Sequence, residues 1–139
     1  MLGMKVYLAS PFFNDEQVKL VDSLKSLLEE AGYDVISPKD KLMLSRDSSR
    51  EEIQRCFKMN CDDMDSADWV LANIEGWDPG TTWETGYMFR SGKPIVYFSD
   101  TPGRRLNVML QQSGSFVNGL DDFHSKLDSA QGAWDGEIF

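Results

Sequence analysis

Short apolar runs alternate with segments of helical period from one end of this chain to the other, a pattern that buries best as βαβ units around a parallel sheet. Lys5 to Ala9 (KVYLA) is the first apolar run. Asn14, with Gln17 three residues on, is the start signal of a helix whose apolar positions Val18, Val21, Leu24, Leu28 and Ala31 lead to Gly32, a helix-closing glycine. Asp34 to Ser37 (DVIS) is a second strand ended by Pro38, and the aperiodic segment from Lys39 to Ser48 is a loop able to cover a site. Ser49 with Glu52 forms a capping box, followed by a stripe of Ile53, Cys56, Phe57, Asn60 and Met64 expected to face the core. Trp69 to Asn73 (WVLAN) is continuously apolar and reads as a buried strand. Thr81 is expected to cap a helix running to about Ser91 and closed by Gly92, ahead of a fourth strand at Pro94 to Phe98. A short helix near Leu106 to Gln112, a fifth strand at Ser115 to Asn118 and a helix from Asp121 to Asp128 complete the series. The expected fold is a single doubly wound α/β domain over residues 1–139, Rossmann- or flavodoxin-like, with about five mostly parallel strands flanked by helices.

In open α/β sheets the ligand crevice lies beyond the carboxyl ends of the strands, and after WVLAN that place is taken by the stretch from Asp78 to Glu84, DPGTTWE. A phosphate-binding loop would put glycines and a basic residue here. Two carboxylates offer acceptors instead, which suit sugar hydroxyls and developing positive charge. Placed in the first helical turn, Glu84 would sit at the positive end of the helix dipole, which favours the ionised form. An ionised carboxylate beside a sugar can attack C1′ and form a covalent glycosyl-enzyme. Thr81-x-x-Glu84 also fits a capping box, which gives the same glutamate a purely structural role.

The opening Val6-Tyr7-Leu8-Ala9-Ser10-Pro11-Phe12-Phe13 and the segment Asp78 through Gly86 (DPGTTWETG) resemble the nucleoside 2-deoxyribosyltransferase family. Ala67-Asp68-Trp69-Val70-Leu71-Ala72 and Leu106-Asn107-Val108-Met109 follow the family's order, and the end Trp134-Asp135-Gly136-Glu137-Ile138-Phe139 resembles its aromatic terminus. The resemblance implies that Glu84 is the nucleophile and that Tyr7 orients its carboxylate. It implies that Asp78 and Asn107 hold the sugar hydroxyls, and that Met109 and Phe139 belong to the substrate site, with Phe139 reaching a neighbouring subunit's pocket. Phe13 and Trp77 are candidates to stack on a base. Where the family often has an aspartate near the base, this chain has Asn60, which can hydrogen-bond a base edge but cannot protonate it; a neighbour's terminal carboxylate or water is left for that task. The implied activity is base exchange on 2′-deoxynucleosides, with free purine or pyrimidine bases as acceptors. The alternatives are a 2′-deoxynucleoside 5′-monophosphate N-glycosidase, whose phosphate an aspartate at position 78 should repel, and a non-catalytic nucleoside- or nucleotide-sensing module. A terminus used in a neighbour's site implies a closed homo-oligomer, dimer-based, with a hexamer allowed.

Charge and composition narrow the remaining classes. Lys and Arg number 14 against 23 Asp and Glu, a net charge of -9 that disfavours nucleic acid and an anionic membrane surface. Cys56 and Cys61 lie on one helix at a spacing that turns them to different faces, so no disulfide is expected, which fits a cytoplasmic location. The N-terminus MLGMKVYLAS lacks the layout of a signal peptide or a membrane span. His124 is the only histidine, which leaves little material for a His-based triad or a multi-histidine metal site, and its expected place is a solvent-facing helix position; no metal and no cofactor is expected. Arg104 and Arg105, and the acidic pair Asp62 and Asp63, read as solvated surface.

Overall fold

In the computed structural model, which describes residues 2–41, 43–130 and 132, the strands form one parallel sheet in the order β2-β1-β3-β4-β5. They are β1 (Lys5–Ala9), β2 (Asp34–Ile36), β3 (Trp69–Asn73), β4 (Ile95–Ser99) and β5 (Ser115–Asn118). The helices are α1 (Asp15–Glu30), α2 (Arg50–Ser66), α3 (Pro79–Arg90), α4 (Val108–Ser113) and α5 (Phe123–Ser129). The doubly wound expectation holds. The chain winds one way from β1 to β2 and the other way from β1 through β3, so the topological switch point, where such sheets bind ligands, falls between β1 and β3.

Strand alternation divides the core into two layers. Val6, Leu8, Trp69, Leu71, Val96 and Phe98 point to the face covered by α1 and α5, where they meet Val21, Leu24, Leu28, Phe123 and Leu127. The intervening Tyr7, Ala9, Val70, Ala72, Ile95 and Tyr97 point to the opposite face and pack with Met64, Met88 and Leu106. Tyr7 therefore projects toward α2 and α3 and is fully buried.

Helix ends follow their local chemistry with a few shifts. The Asn14 side chain accepts from the Gln17 amide, while the Gln17 side chain reaches one residue further back, to the Phe13 amide. Gly32 (φ 93°) closes α1 in the left-handed region. The Ser49–Glu52 capping box forms as expected. β2 stops at Ile36 because a 3-10 turn begins at Pro38, and β4 lies one residue later than expected. α5 starts at Phe123 because Asp122 (φ 54°) is left-handed.

Two expectations are corrected. The cap of α3 is Asp78, whose carboxylate Oδ2 accepts from the Thr81 amide at 2.8 Å and its hydroxyl at 3.0 Å; Pro79, with no amide hydrogen to satisfy, fits the first turn. α2 buries only Met64 fully, and Ile53 and Phe57 are exposed. Its apolar stripe leaves the sheet toward its N-terminal end: Met64 packs in the core and also reaches the floor of an open cavity, while Cys56, Phe57 and Asn60 border that cavity instead of the core.

Candidate active site

The cavity, about 490 Å³, opens beyond the carboxyl ends of β1 and β3 and is bounded by the two loops that leave them and by α2 and α3. The loop after β1 supplies Ser10, Pro11, Phe12 and Phe13; α2 supplies Cys56, Phe57, Asn60 and Met64; the start of α3 supplies Asp78, Thr81, Trp83 and Glu84. Its walls are mostly aromatic and aliphatic, with a few polar groups, the usual make-up of a site for a flat organic ligand. A second cavity of about 560 Å³ lies on the α1 side, lined by Asn14, Gln17, Asn73, Glu75 and Asp100 among others. It has no aromatic wall, and Asn73 is satisfied by Ser10 and the Glu75 amide.

Glu84 is the sixth residue of α3, in its second turn, because Asp78 rather than Thr81 starts the helix. The capping box drawn from the sequence does not form: Thr81 is bonded to Asp78, and the Glu84 carboxylate turns to the sheet, where Tyr7 donates its hydroxyl to Oε2 in a short hydrogen bond. The expectation that the helix end favours the ionised carboxylate loses its premise as well, because Glu84 lies beyond the first turn. Burial, with the Asp78 charge adding to it, pushes Glu84 up to about 7 against the opposing pull of the Tyr7 hydrogen bond. Burial and the adjacent carboxylate in turn push the Tyr7 phenol upward, so it remains a donor.

Asn60 reaches the same cavity. Its amide nitrogen lies 3.9 Å from the Cys56 sulfur, while its buried Oδ1 has no hydrogen-bond partner among the described residues. A buried acceptor left open in an aromatic-walled cavity is a vacancy for a ligand donor. Phe13, 76% exposed, stands at the rim and stacks on Phe12 with centroids 5.7 Å apart. Phe57 and Trp83 approach to 5.5 Å across the α2–α3 boundary, a wall that single-residue reading missed even though Trp83 directly precedes Glu84.

Other expected members lie elsewhere. Asn107 caps α4 by accepting from the Met109 amide at 2.7 Å, and Met109 is 73% exposed; neither lines this cavity. Phe139 and Trp134 lie outside the described residues. Trp77 does not border the cavity either, because its ring carries the guanidinium of Arg104 at 5.0 Å. Arg104 is thus no solvated loop cation: it pairs with Glu75 at 3.1 Å. Asp63, only 17% exposed at its side chain, pairs with Lys41 at 2.7 Å and ties the loop after β2 to α2, whereas Asp62 pairs with Lys58 on the surface. His124 is exposed on α5, with Nε2 2.8 Å from the Leu27 carbonyl. Among the described residues no group of His, Cys, Asp and Glu is arranged to hold a metal, and no helix is long and apolar enough to cross a membrane.

The sequence profile of the nucleoside 2-deoxyribosyltransferase family matches residues 6–120, a span that contains the Val6–Phe13 opening, the Asp78–Glu84 segment and Asn107. The chain belongs to the nucleoside 2-deoxyribosyltransferase family. A solved 2-deoxyribosyltransferase from the psychrotolerant bacterium Bacillus psychrosaccharolyticus is 35% identical over 85% of this chain and 88% of its own, with a TM-score of 0.77. A Clostridium botulinum CMP N-glycosidase (20% identity, 89% of this chain and 98% of its own, TM-score 0.64) shares the fold. So does a Leishmania mexicana 2-desoxiribosyltransferase (18%, 99% and 90%, TM-score 0.58). No curated protein matches the chain in sequence. Family membership makes it an enzyme of the pentosyltransferase type, acting on N-glycosidic bonds.

Proposed function

We propose that this enzyme exchanges the bases of 2′-deoxynucleosides by double displacement through Glu84. The observation that carries the proposal is the Glu84 carboxylate itself, held by the Tyr7 hydroxyl and sharing an open cavity with Asp78 at the switch point of the sheet. In the first step a Glu84 oxygen forms a bond to C1′ as the N-glycosidic bond breaks, and the base leaves with the bonding pair. In the second step a nitrogen of another base attacks C1′ from the face the first base left, which restores the starting configuration and returns the carboxylate. A carboxyl raised to about 7 is a stronger nucleophile once ionised than one in water, and Tyr7 keeps it aimed.

Asp78 commits Oδ2 to its own helix, so Oδ1 is the atom available to a sugar hydroxyl. Asn60 offers its open acceptor to a base edge, with Phe13 against the ring face. Asparagine has no acidic proton to give, so the leaving base takes one from water or from a protonated carboxyl group that a neighbouring copy contributes. Asn107 and Met109, away from the cavity of their own chain, and Phe139 serve the reaction in a homo-oligomer where one copy completes another's pocket. The setting is salvage of free bases in the cytoplasm.

Two assays separate this reading from its rivals. A deoxynucleoside incubated with a different free base should yield a new deoxynucleoside, while a 2′-deoxynucleoside 5′-monophosphate should be spared, because Asp78 borders the place its phosphate would need. Base release from the monophosphate with no exchange would establish an N-glycosidase. Nucleoside binding that survives Glu84→Gln, without turnover in the parent, would establish a sensing module.

A further inference from the structure

The segment joining β3 to α3 holds Gly76 (φ 79°) and Trp77 (φ 52°) in consecutive left-handed conformations directly before Asp78. Glycine adopts that region freely. For a tryptophan it is strained, and such a residue persists only where its surroundings over-determine it. Trp77 is 45% exposed, and the group that lies against its ring, the Arg104 guanidinium, belongs to an assembly built on Glu75. That carboxylate accepts from the Ser99 hydroxyl, from the Asp100 amide at 2.7 Å, from the Thr101 amide at 2.9 Å and hydroxyl at 3.0 Å, and from Arg104 Nη2 at 3.1 Å. Arg104 is fixed further by Nε on the Ser99 hydroxyl at 3.3 Å and Nη2 on the Thr101 hydroxyl at 3.0 Å. So anchored, its guanidinium lies over the Trp77 ring. Although burial opposes it, this set of hydrogen bonds holds the Glu75 carboxyl below its ordinary range, so the anchor stays charged at neutral pH.

We propose that Arg104 is a positioning residue for the transfer reaction. By stacking on Trp77 while bound to Glu75, it pins the left-handed step that sets Asp78, the residue from which α3 starts and presents Glu84. The inference rests on the function proposed above. The loop after β4, which touches neither Glu84 nor Asp78 in any hydrogen bond described, is thereby made part of the site's geometry. Released from the guanidinium, Trp77 would relax toward negative φ, and the peptide it shares with Asp78 would turn with it. Misplacement on that scale slows a reaction that depends on alignment more than it weakens binding.

The test compares Arg104→Ala, Arg104→Lys, Trp77→Asn and the Arg104→Ala/Trp77→Asn double variant in deoxyribosyl transfer, alongside thermal melting. Asparagine tolerates the left-handed region but carries no ring for the stack. Arg104→Ala should lower kcat about tenfold or more with KM changed by less than about threefold. Arg104→Lys keeps a cation for Glu75 without the planar stack, and should recover melting temperature but not kcat. The double variant should be no slower than the slower single one, because both changes break the same contact. An unchanged kcat in Arg104→Ala, a lysine variant that restores kcat together with stability, or additive losses would overturn the proposal. If the wild type transfers nothing, the functional reading falls by itself; amide exchange at residues 76–82 then reads the clamp, with about tenfold faster exchange expected in Arg104→Ala and unchanged exchange refuting it.

Discussion

Replacing Glu84 by glutamine should make the folded protein more stable at alkaline pH, although it abolishes transfer. The carboxyl is displaced from its ordinary 4.5 up to about 7, chiefly by burial and then by the Asp78 charge. Below pH 4.5 it is protonated in both the folded and the unfolded chain, and no penalty arises. Between 4.5 and 7 the unfolded chain ionises while the folded one keeps its proton, so stability is lost as pH rises, and the loss is complete above about 7. At about 1.4 kcal/mol per pH unit, the gap between those values amounts to about 3 kcal/mol. Glutamine retains the shape of the side chain and an acceptor for the Tyr7 hydroxyl but cannot ionise. Urea or thermal unfolding at equal protein concentration should therefore show parent and variant alike at pH 4, with the variant ahead at pH 8 by up to about 3 kcal/mol, or on the order of 10 °C in melting temperature. The comparison cancels titrations common to both proteins, including that of Asp40, which Lys25 holds below the usual carboxylate range. A variant no more stable than the parent at pH 8, or ahead by the same margin at every pH, would show that the Glu84 charge does not burden the fold.

Two other perturbations probe the same cavity. Tyr7→Phe removes the donor that opposes the rise of the Glu84 carboxyl, so the acid limb of the kcat/KM profile should move above its position near pH 7 and the rate should fall about 10- to 100-fold; an unmoved limb would separate Tyr7 from the nucleophile. Asn60→Leu replaces an amide whose buried Oδ1 has no partner among the described residues, so stability should hold or improve by about 1 kcal/mol while KM for the nucleoside rises about tenfold; a clear loss of stability with KM unchanged would make Asn60 a structural residue.

How far the sequence carried the account depended on whether the deciding physics was local. Val6, Tyr7, Leu8 and Ala9 alternate between the two faces of the sheet as their spacing requires, and Ser49 with Glu52 makes the capping box that its letters spell. Glu84 shows where local reading stops. Thr81 and Asp78 both had the chemistry to cap α3, and the choice between them moves Glu84 by one turn, from the field of the helix end to the Tyr7 hydroxyl. The stripe on α2 has a helical period that cannot distinguish a core from a cavity wall, since both favour apolar residues; only the departure of α2 from the sheet reveals which it is. Arg104 looked like a solvated loop cation because its partners, Glu75 and Trp77, are far off in the chain and are brought together only by the adjacency of β3 and β4.

The central claim is a covalent bond between Glu84 and C1′, and intact-mass spectrometry of the enzyme quenched during turnover of a deoxynucleoside without an acceptor base tests it directly. The enzyme should gain the mass of one deoxyribosyl group, mapped by peptide analysis to Glu84, lost on adding a free base and missing in Glu84→Gln. Base exchange in the parent with no adduct at any quench time, or an adduct that persists in Glu84→Gln, would contradict that claim.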